Sequence, residues 1–135
     1  MKIAFIITSV LCSTILMSCS KGQSTQPIPS TKDKLLGAWN VDSISSREVV
    51  NGVLSNTPAQ IGRLGDYMEF RNNGTVYSSL GNKTSNWTLL SDTTMKLDDS
   101  PTVYIRELSK TKLYLYSKRV VSTTVYVEDK YFLHK

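Results

Sequence analysis

DYMEFRNNGTVYSSLG, residues 66–81, carries the clearest secondary-structure signal in the chain. Met68 and Phe70 alternate with charged neighbours, Asn72-Asn73-Gly74 interrupts the run, and Val76 resumes the alternation. Asn-Gly between two alternating runs is a strong signal for a tight β-hairpin, because both residues tolerate a positive φ. The stretch therefore predicts two antiparallel strands joined by a turn.

Runs of the same kind extend from this hairpin to both ends of the domain. They are rich in Val, Thr, Tyr and Ile, and Gly, Asn, Asp or Ser separates them, as is typical of strands and turns. Only Pro58–Leu64 has a spacing that could form one helical turn. Besides the two arms of the hairpin, the predicted strands lie in LLGAWNVDSI, NWTLL, TMKL, TVYIREL, KLYLYSK and TTVYVEDKYFL.

About eight sequential strands in residues 35–135 fit one domain of common size. Such a sequence predicts an all-β fold, an antiparallel up-and-down meander that closes into a small barrel. Closure is favourable because it removes exposed strand edges. A two-sheet β-sandwich is the alternative, since the number of strands does not separate the two.

The N-terminus has the layout of a secretory signal. Met1-Lys2 supplies a positive start, Ile3–Met17 is mostly apolar, and Ser18-Cys19 closes the segment with small side chains. A membrane-spanning helix needs about 20 predominantly apolar residues, and this run is shorter and contains Ser and Thr. We therefore expect residues 1–18 to be a signal peptide.

The end of that signal, Leu16-Met17-Ser18-Cys19, resembles the lipobox of bacterial lipoproteins. The resemblance implies cleavage before Cys19 and acylation of this cysteine, and several acyl chains together hold a protein firmly on a membrane. Cys12 leaves with the signal, so Cys19 is the one cysteine of the mature chain. Acylation also removes the unpaired thiol that an oxidising compartment would expose to oxidation.

The next segment, SKGQSTQPIPSTKDK, contains one aliphatic residue, Ile28, and two prolines. Such a composition does not bury enough apolar surface to order a chain, so the segment is expected to be a disordered tether, with an ordered N-terminal arm left open for its last few residues only. The predicted organisation is a signal peptide at 1–18, lipidated Cys19 with a flexible tether at 19–34, and a barrel domain at 35–135.

The expected location is the bacterial cell envelope, at the outer membrane and facing the periplasm. Membrane lipid is the expected partner, through acylated Cys19. Lipoproteins displayed on the outside often carry an acidic run after the cysteine. Ser20-Lys21-Gly22 is not acidic, so display on the cell surface is left open.

Three fragments of the domain resemble the lipocalin-like domains of envelope lipoproteins. Leu35–Val41 contains the Gly-x-Trp triplet, and Phe70–Val76 and Trp87–Leu89 follow in the order typical of that family. The resemblance implies a lipocalin-like barrel. In true lipocalins, an arginine of the last strand stacks on that tryptophan, and Lys130 is the only basic residue inside the last predicted strand.

Charge and composition bear on which activities to expect. After Lys2 leaves with the signal, 15 of the 16 basic residues remain against 11 acidic ones, a net charge of +4. These charges are scattered, which does not favour nucleic acid as a partner. His134 is the single histidine, and no nucleophile motif, phosphate loop or metal-ligand cluster occurs, so we expect no enzyme activity and no cofactor.

Tyrosines in the last two strands are the candidate contact residues. Leu113 and Leu115 alternate with Tyr114 and Tyr116, and Tyr126 alternates with valines in the final strand. Strands that are apolar on both faces are unusual in a half-solvated sheet. These three tyrosines could line a pocket or bind a partner, although tyrosine also simply suits strands.

Two functions follow from these features. The first is a structural or protein-interaction role, in which the barrel is filled and the last strands form a partner surface. The alternative is binding of a small apolar or amphiphilic ligand inside the barrel, which requires space and inward tyrosine hydroxyls. Large inward side chains in so small a barrel favour the first; they are Trp39, Phe70, Trp87, Leu113 and Leu115.

Overall fold

A computed structural model of the protein describes residues 27–55, 59–98 and 100–135. The predicted signal peptide, Cys19 and the first part of the predicted tether lie outside the described residues. None of the helices in these ranges is long and apolar enough to cross a membrane. The elements are α1 (Thr31–Leu35), β1 (Gly37–Val50), β2 (Val53–Ser55), β3 (Gln60–Ile61), β4 (Tyr67–Phe70), β5 (Thr75–Ser78), β6 (Lys83–Ser91), β7 (Thr94–Leu97), β8 (Val103–Leu108), β9 (Lys112–Val120) and β10 (Val125–His134).

Eight of the strands form a closed antiparallel barrel. Each of β4–β9 pairs with the next strand in chain order, and β1 pairs with β4 on one side and β10 on the other. The β1–β10 ladder closes the barrel and runs from Asn40↔His134 to Val50↔Val125. The predicted all-β up-and-down barrel is confirmed, and the β-sandwich alternative is wrong. β2 and β3 are short additions that pair with β1.

The hairpin predicted in residues 66–81 is present as β4 and β5. Phe70 pairs with Val76, and both side chains are buried. The Gly74 N–H donates to the Arg71 carbonyl at 3.1 Å, and Gly74 has a φ of +81°. Asn73 keeps a negative φ and instead accepts a hydrogen bond from the Thr75 N–H. Only the glycine of the Asn-Gly pair therefore uses its conformational freedom, as in a three-residue hairpin loop with a left-handed third residue.

The short helix lies in a different place from the predicted one. Gln60–Ile61, inside the segment expected to form a helical turn, is strand β3, so that prediction is wrong. The helix is α1 instead, and four of its five residues belong to the predicted tether. Ser30 and Asp33 form a capping box, in which the Ser30 hydroxyl accepts from the Asp33 N–H and the Asp33 carboxylate accepts from the Ser30 N–H.

Large side chains fill the half of the barrel next to α1. The five residues predicted to point inward are all buried, and Leu35 of α1 covers this end of the barrel. The Trp39 indole N–H donates to the Leu35 carbonyl at 2.7 Å, which fixes the helix on the core. Phe70 and Trp87 meet edge to face, with ring centroids 5.5 Å apart. This end of the barrel is therefore closed and filled with side chains.

Candidate ligand-binding site at the barrel mouth

The other half of the barrel contains a cavity of about 1100 Å³ that opens to solvent. Its floor is apolar, because Met68, Val103 and Leu115 separate it from the packed core. Small-molecule sites in proteins typically enclose about 300–1,000 Å³ and combine apolar walls with a few polar groups. The volume and the floor therefore suit a small ligand.

One carboxylate at the rim of the cavity is held by local hydrogen bonds. Asp98 Oδ1 accepts from the Asn86 backbone N–H at 2.8 Å and from the Asn86 side-chain amide at 3.0 Å. The backbone bond from Asn86 and a side-chain bond from Ser85 hold the pKa of Asp98 below its usual value. Asp98 has a φ of +45° and directly follows β7, so its carboxylate stabilises the turn that borders the cavity.

Polar side chains of β10 and β9 also project into the cavity. Tyr131 and Asp129 occupy successive inward positions of β10, and the Ser117 hydroxyl lies 3.5 Å from an Asp129 oxygen. Burial raises the pKa of Tyr131, and the charge of Asp129 adds to the effect. Tyr131 is therefore a neutral hydroxyl donor at physiological pH. Tyr131 lies on the same inward side of β10 as Leu133. The alternation in TTVYVEDKYFL would have indicated this inward position of Tyr131.

Two cations line the cavity from nearly opposite walls. Lys83 begins β6, and Arg119 lies near the end of β9. None of the ion pairs formed within residues 27–55, 59–98 and 100–135 includes either side chain. Both positive charges can therefore turn towards a bound group.

Three strands and β2 extend beyond the mouth and carry a row of valines. Residues of β10 on the cavity side continue from Asp129 to Val127 and Val125, because the ladder with β9 has no bulge. Val50 pairs with Val125, and Val53 pairs with Val50, so both lie on the same side. We call this surface the valine wall; its members are Val50, Val53, Val121, Val125 and Val127.

The three tyrosines predicted as contact residues lie on the outer surface of the barrel. Tyr114 stacks on Phe132 with a centroid distance of 4.5 Å. The Tyr116 hydroxyl donates to Glu128 at 2.9 Å. Burial, followed by this bond, raises the pKa of Tyr116 to about 12. Tyr126 lies 3.7 Å below the Lys118 ammonium. None of the three reaches the cavity, where Tyr131 supplies the inward hydroxyl that the ligand hypothesis requires.

Two residues that the sequence did not single out complete this outer surface. The Arg106 guanidinium lies 5.1 Å from the centroids of both Tyr104 and Tyr116. A β-bulge between Ile105 and Glu107 gives Arg106 this position. A bulge shifts one residue out of the alternating pattern, so the alternation alone did not place this arginine.

The basic residue at the first-strand tryptophan is Lys135, not Lys130. The Lys135 ammonium lies 4.3 Å from the Trp39 ring and donates to the carbonyls of Leu36 at 2.8 Å and Lys34 at 3.2 Å. Burial lowers the pKa of Lys135. Lys130 pairs with Tyr116 on the outer surface, and β10 continues beyond it to His134, so Lys130 does not lie at this end of the strand.

Known proteins add no further assignment. Comparison with protein-family models, curated proteins and solved structures gives no match to this chain. Within the described ranges, no group of three or more His, Cys, Asp or Glu side chains is arranged to hold a metal ion. The cavity is therefore the candidate site on geometry alone.

Proposed function

We propose that the chain is a lipid-anchored envelope lipoprotein whose lipocalin-like barrel binds a small molecule in its open half without catalysing a reaction. The observation that carries the proposal is the cavity of about 1100 Å³ above a packed core. A barrel with a purely structural role gains stability by filling its interior, whereas this one fills only the closed end. The apolar floor and polar walls suit an amphiphilic ligand better than a purely apolar one.

The closed end supports the lipocalin-like part of the proposal. The Gly-x-Trp tryptophan begins the first strand, a short helix covers the barrel end beside it, and a basic side chain lies over its ring. The resemblance implies such a cation, with arginine in true lipocalins and Lys135 in this chain. The contact is local, so it supports the family of the fold and says nothing about a ligand.

The anchor and the location rest on the sequence. Leu16-Met17-Ser18-Cys19 supports acylation of Cys19 and an address at the outer membrane, facing the periplasm. We include both in the proposal because the packed domain begins at α1, after a stretch long enough to separate it from the lipid.

The test is the intact mass of the protein purified from its own membranes without denaturation. We expect acyl mass on a chain that starts at Cys19, together with a further non-covalent mass. Ser117→Trp places an indole in the cavity and should abolish the non-covalent mass, whereas Thr84→Trp, an exposed position of β6, should retain it. A bare acylated chain from wild type, or a mass that Ser117→Trp retains, would contradict binding in the cavity.

The outer tyrosine surface supports a second candidate, contact with a protein partner. Tyr104 and Phe132 are each 39% exposed, which leaves two aromatic rings accessible on one side of the sheet. Tyr114, Tyr116 and Tyr126, however, already have partners within the sheet. Because these contacts satisfy the surface internally, we place this function second.

A further inference from the structure

The valine wall is an apolar surface that solvent reaches. Val53 is 71% exposed, Val121 57% and Val50 40%, and Val125 and Val127 are half-buried beside them. Contiguous apolar side chains on a soluble surface usually mark a contact. Glu48 and Arg119 lie on the same side as the valines, because both pair with Val127. The outer side of these strands carries the charged residues Arg47, Lys118 and Glu128 together with Val49 and Val120.

The wall is continuous with the cavity. Successive inward positions of β10 pass from Leu133 in the core to Tyr131 and Asp129 in the cavity, and then to Val127 and Val125 in the wall. A ligand that occupies the cavity and extends out of the mouth on this side therefore lies against the valines.

The charges in the cavity indicate which part of the ligand is inside. Lys83 and Arg119 have no ion-pair partner among the described residues, and Oδ1 of Asp98 accepts two hydrogen bonds from Asn86. Asp98 and Asp129 are carboxylates that also line the cavity, and the charge of Lys83 acts on Asp98, so the site is not uniformly positive. An anionic group can therefore bind both cations and accept a hydrogen bond from the neutral Tyr131 hydroxyl.

We propose, on the basis of the ligand-binding function above, that the ligand is a single-chain amphiphile with a phosphate-type anionic headgroup, bound head first. The headgroup lies between Lys83 and Arg119, and the alkyl chain leaves the mouth along the valine wall. The polar groups are thus inside and the apolar surface is at the entrance, so the chain end is the part of the ligand nearest to solvent.

Photo-crosslinking tests the orientation directly. The probes are two forms of dodecyl phosphate, with a diazirine either at the end of the alkyl chain or next to the phosphate. They are added in trace amounts to the full acylated protein in nanodiscs of neutral lipid. Head-first binding predicts that the chain-end probe labels residues 50–53 and 121–125, and that the head-proximal probe labels the cavity.

Matched variants separate the two parts of the site. Lys83→Gln/Arg119→Gln should lower labelling by both probes about tenfold or more, since charge-assisted contacts are lost. Val53→Ser/Val121→Ser should lower chain-end labelling by a factor of about three to ten through lost apolar contact. The controls are Lys118→Gln and Val120→Ser, neighbours on the outer side of β9, which should stay within about twofold of wild type since exposed substitutions cost little.

Each alternative result has a definite meaning. Chain-end labelling at Met68, Val103 or Leu115 would show tail-first binding and overturn the inference while the proposed function stands. Stronger labelling by a diazirine form of dodecyltrimethylammonium would overturn the anionic headgroup. If the valine wall is labelled equally in wild type and in Lys83→Gln/Arg119→Gln, the wall is a membrane contact and the inference is overturned. Absence of a non-covalent mass from the wild-type protein, or its retention in Ser117→Trp, would instead contradict the proposed function itself.

Discussion

Replacing Lys135 with methionine is expected to loosen the closed end of the barrel. Its ammonium donates two hydrogen bonds, at 2.8 and 3.2 Å, to carbonyls beside α1 and lies over the Trp39 ring. Hydrogen bonds from charged groups contribute about 1.5–3 kcal/mol each and a cation–π contact about 0.5–2 kcal/mol. The side chain is partly exposed, and the lowered pKa shows that burial opposes its charge, so the contributions are reduced. The net loss is about 2 kcal/mol.

Urea and thermal unfolding of the full chain measure this effect. In a domain of this size, about 1 kcal/mol shifts the melting temperature by roughly 4–8 °C, so Lys135→Met should melt about 10 °C below wild type. Lys135→Arg keeps the cation and its donors and should recover most of the loss. The control is Lys130→Met, which removes a lysine from the outer surface of the same strand. Equal melting temperatures for Lys135→Met and Lys130→Met would refute the role assigned to Lys135.

The remaining predictions concern a glycine and the outer tyrosines. In Gly62→Ala, the added Cβ would lie 1.7 Å from the Val41 carbonyl oxygen, so we expect a loss of roughly 3 kcal/mol in urea unfolding. Gly81→Ala meets no atom closer than 3.9 Å and serves as its control. Tyr116, with a folded pKa of about 12 against 10.0 for the free side chain, stabilises the fold below pH 10, and this stabilisation is lost as the pH rises towards 12. Unfolding curves across this range should therefore fall less steeply for Tyr116→Phe than for wild type. Tyr114→Ala/Tyr116→Ala should remove cross-links to any protein partner in native membranes, and an unchanged cross-link pattern in a stable variant would refute a contact there.

The sequence predicted the strands and their orientation because side chains alternate with period two along a strand. Leu113 and Leu115 are each 1% exposed, while Tyr114 and Tyr116 point outward, as the alternation requires. The meander order was also predictable, since each strand after β4 pairs with its neighbour in the chain. The closing β1–β10 ladder has no such local signal, because its strands lie at opposite ends of the domain.

Two features escaped prediction for different physical reasons. Composition left an ordered arm open for the last few residues of the tether but predicted no helix there, and the capping box of Ser30 and Asp33 starts a helix whose Leu35 is fully buried. The cavity escaped because alternation shows which side chains point inward and not how much space they fill. Along β9 the inward residues change from Leu113 and Leu115 to Ser117 and Arg119, so the boundary between core and cavity lies within one strand.

The position of α1 determines how the cavity faces a membrane if Cys19 is the proposed anchor. β1 has 14 residues, and at about 3.3 Å per residue with a tilt near 40° it spans roughly 35 Å between the closed end and the mouth. The 12 residues from Cys19 to Thr31 reach at most about 40 Å when fully extended. The mouth therefore meets the anchoring membrane only when this stretch is nearly extended and the barrel is turned over. An amphiphile that arrives through the aqueous compartment meets an accessible mouth in every other orientation, so shortening residues 20–26 should not change its binding. If the amphiphile instead comes from the anchoring membrane, the same shortening should abolish its uptake.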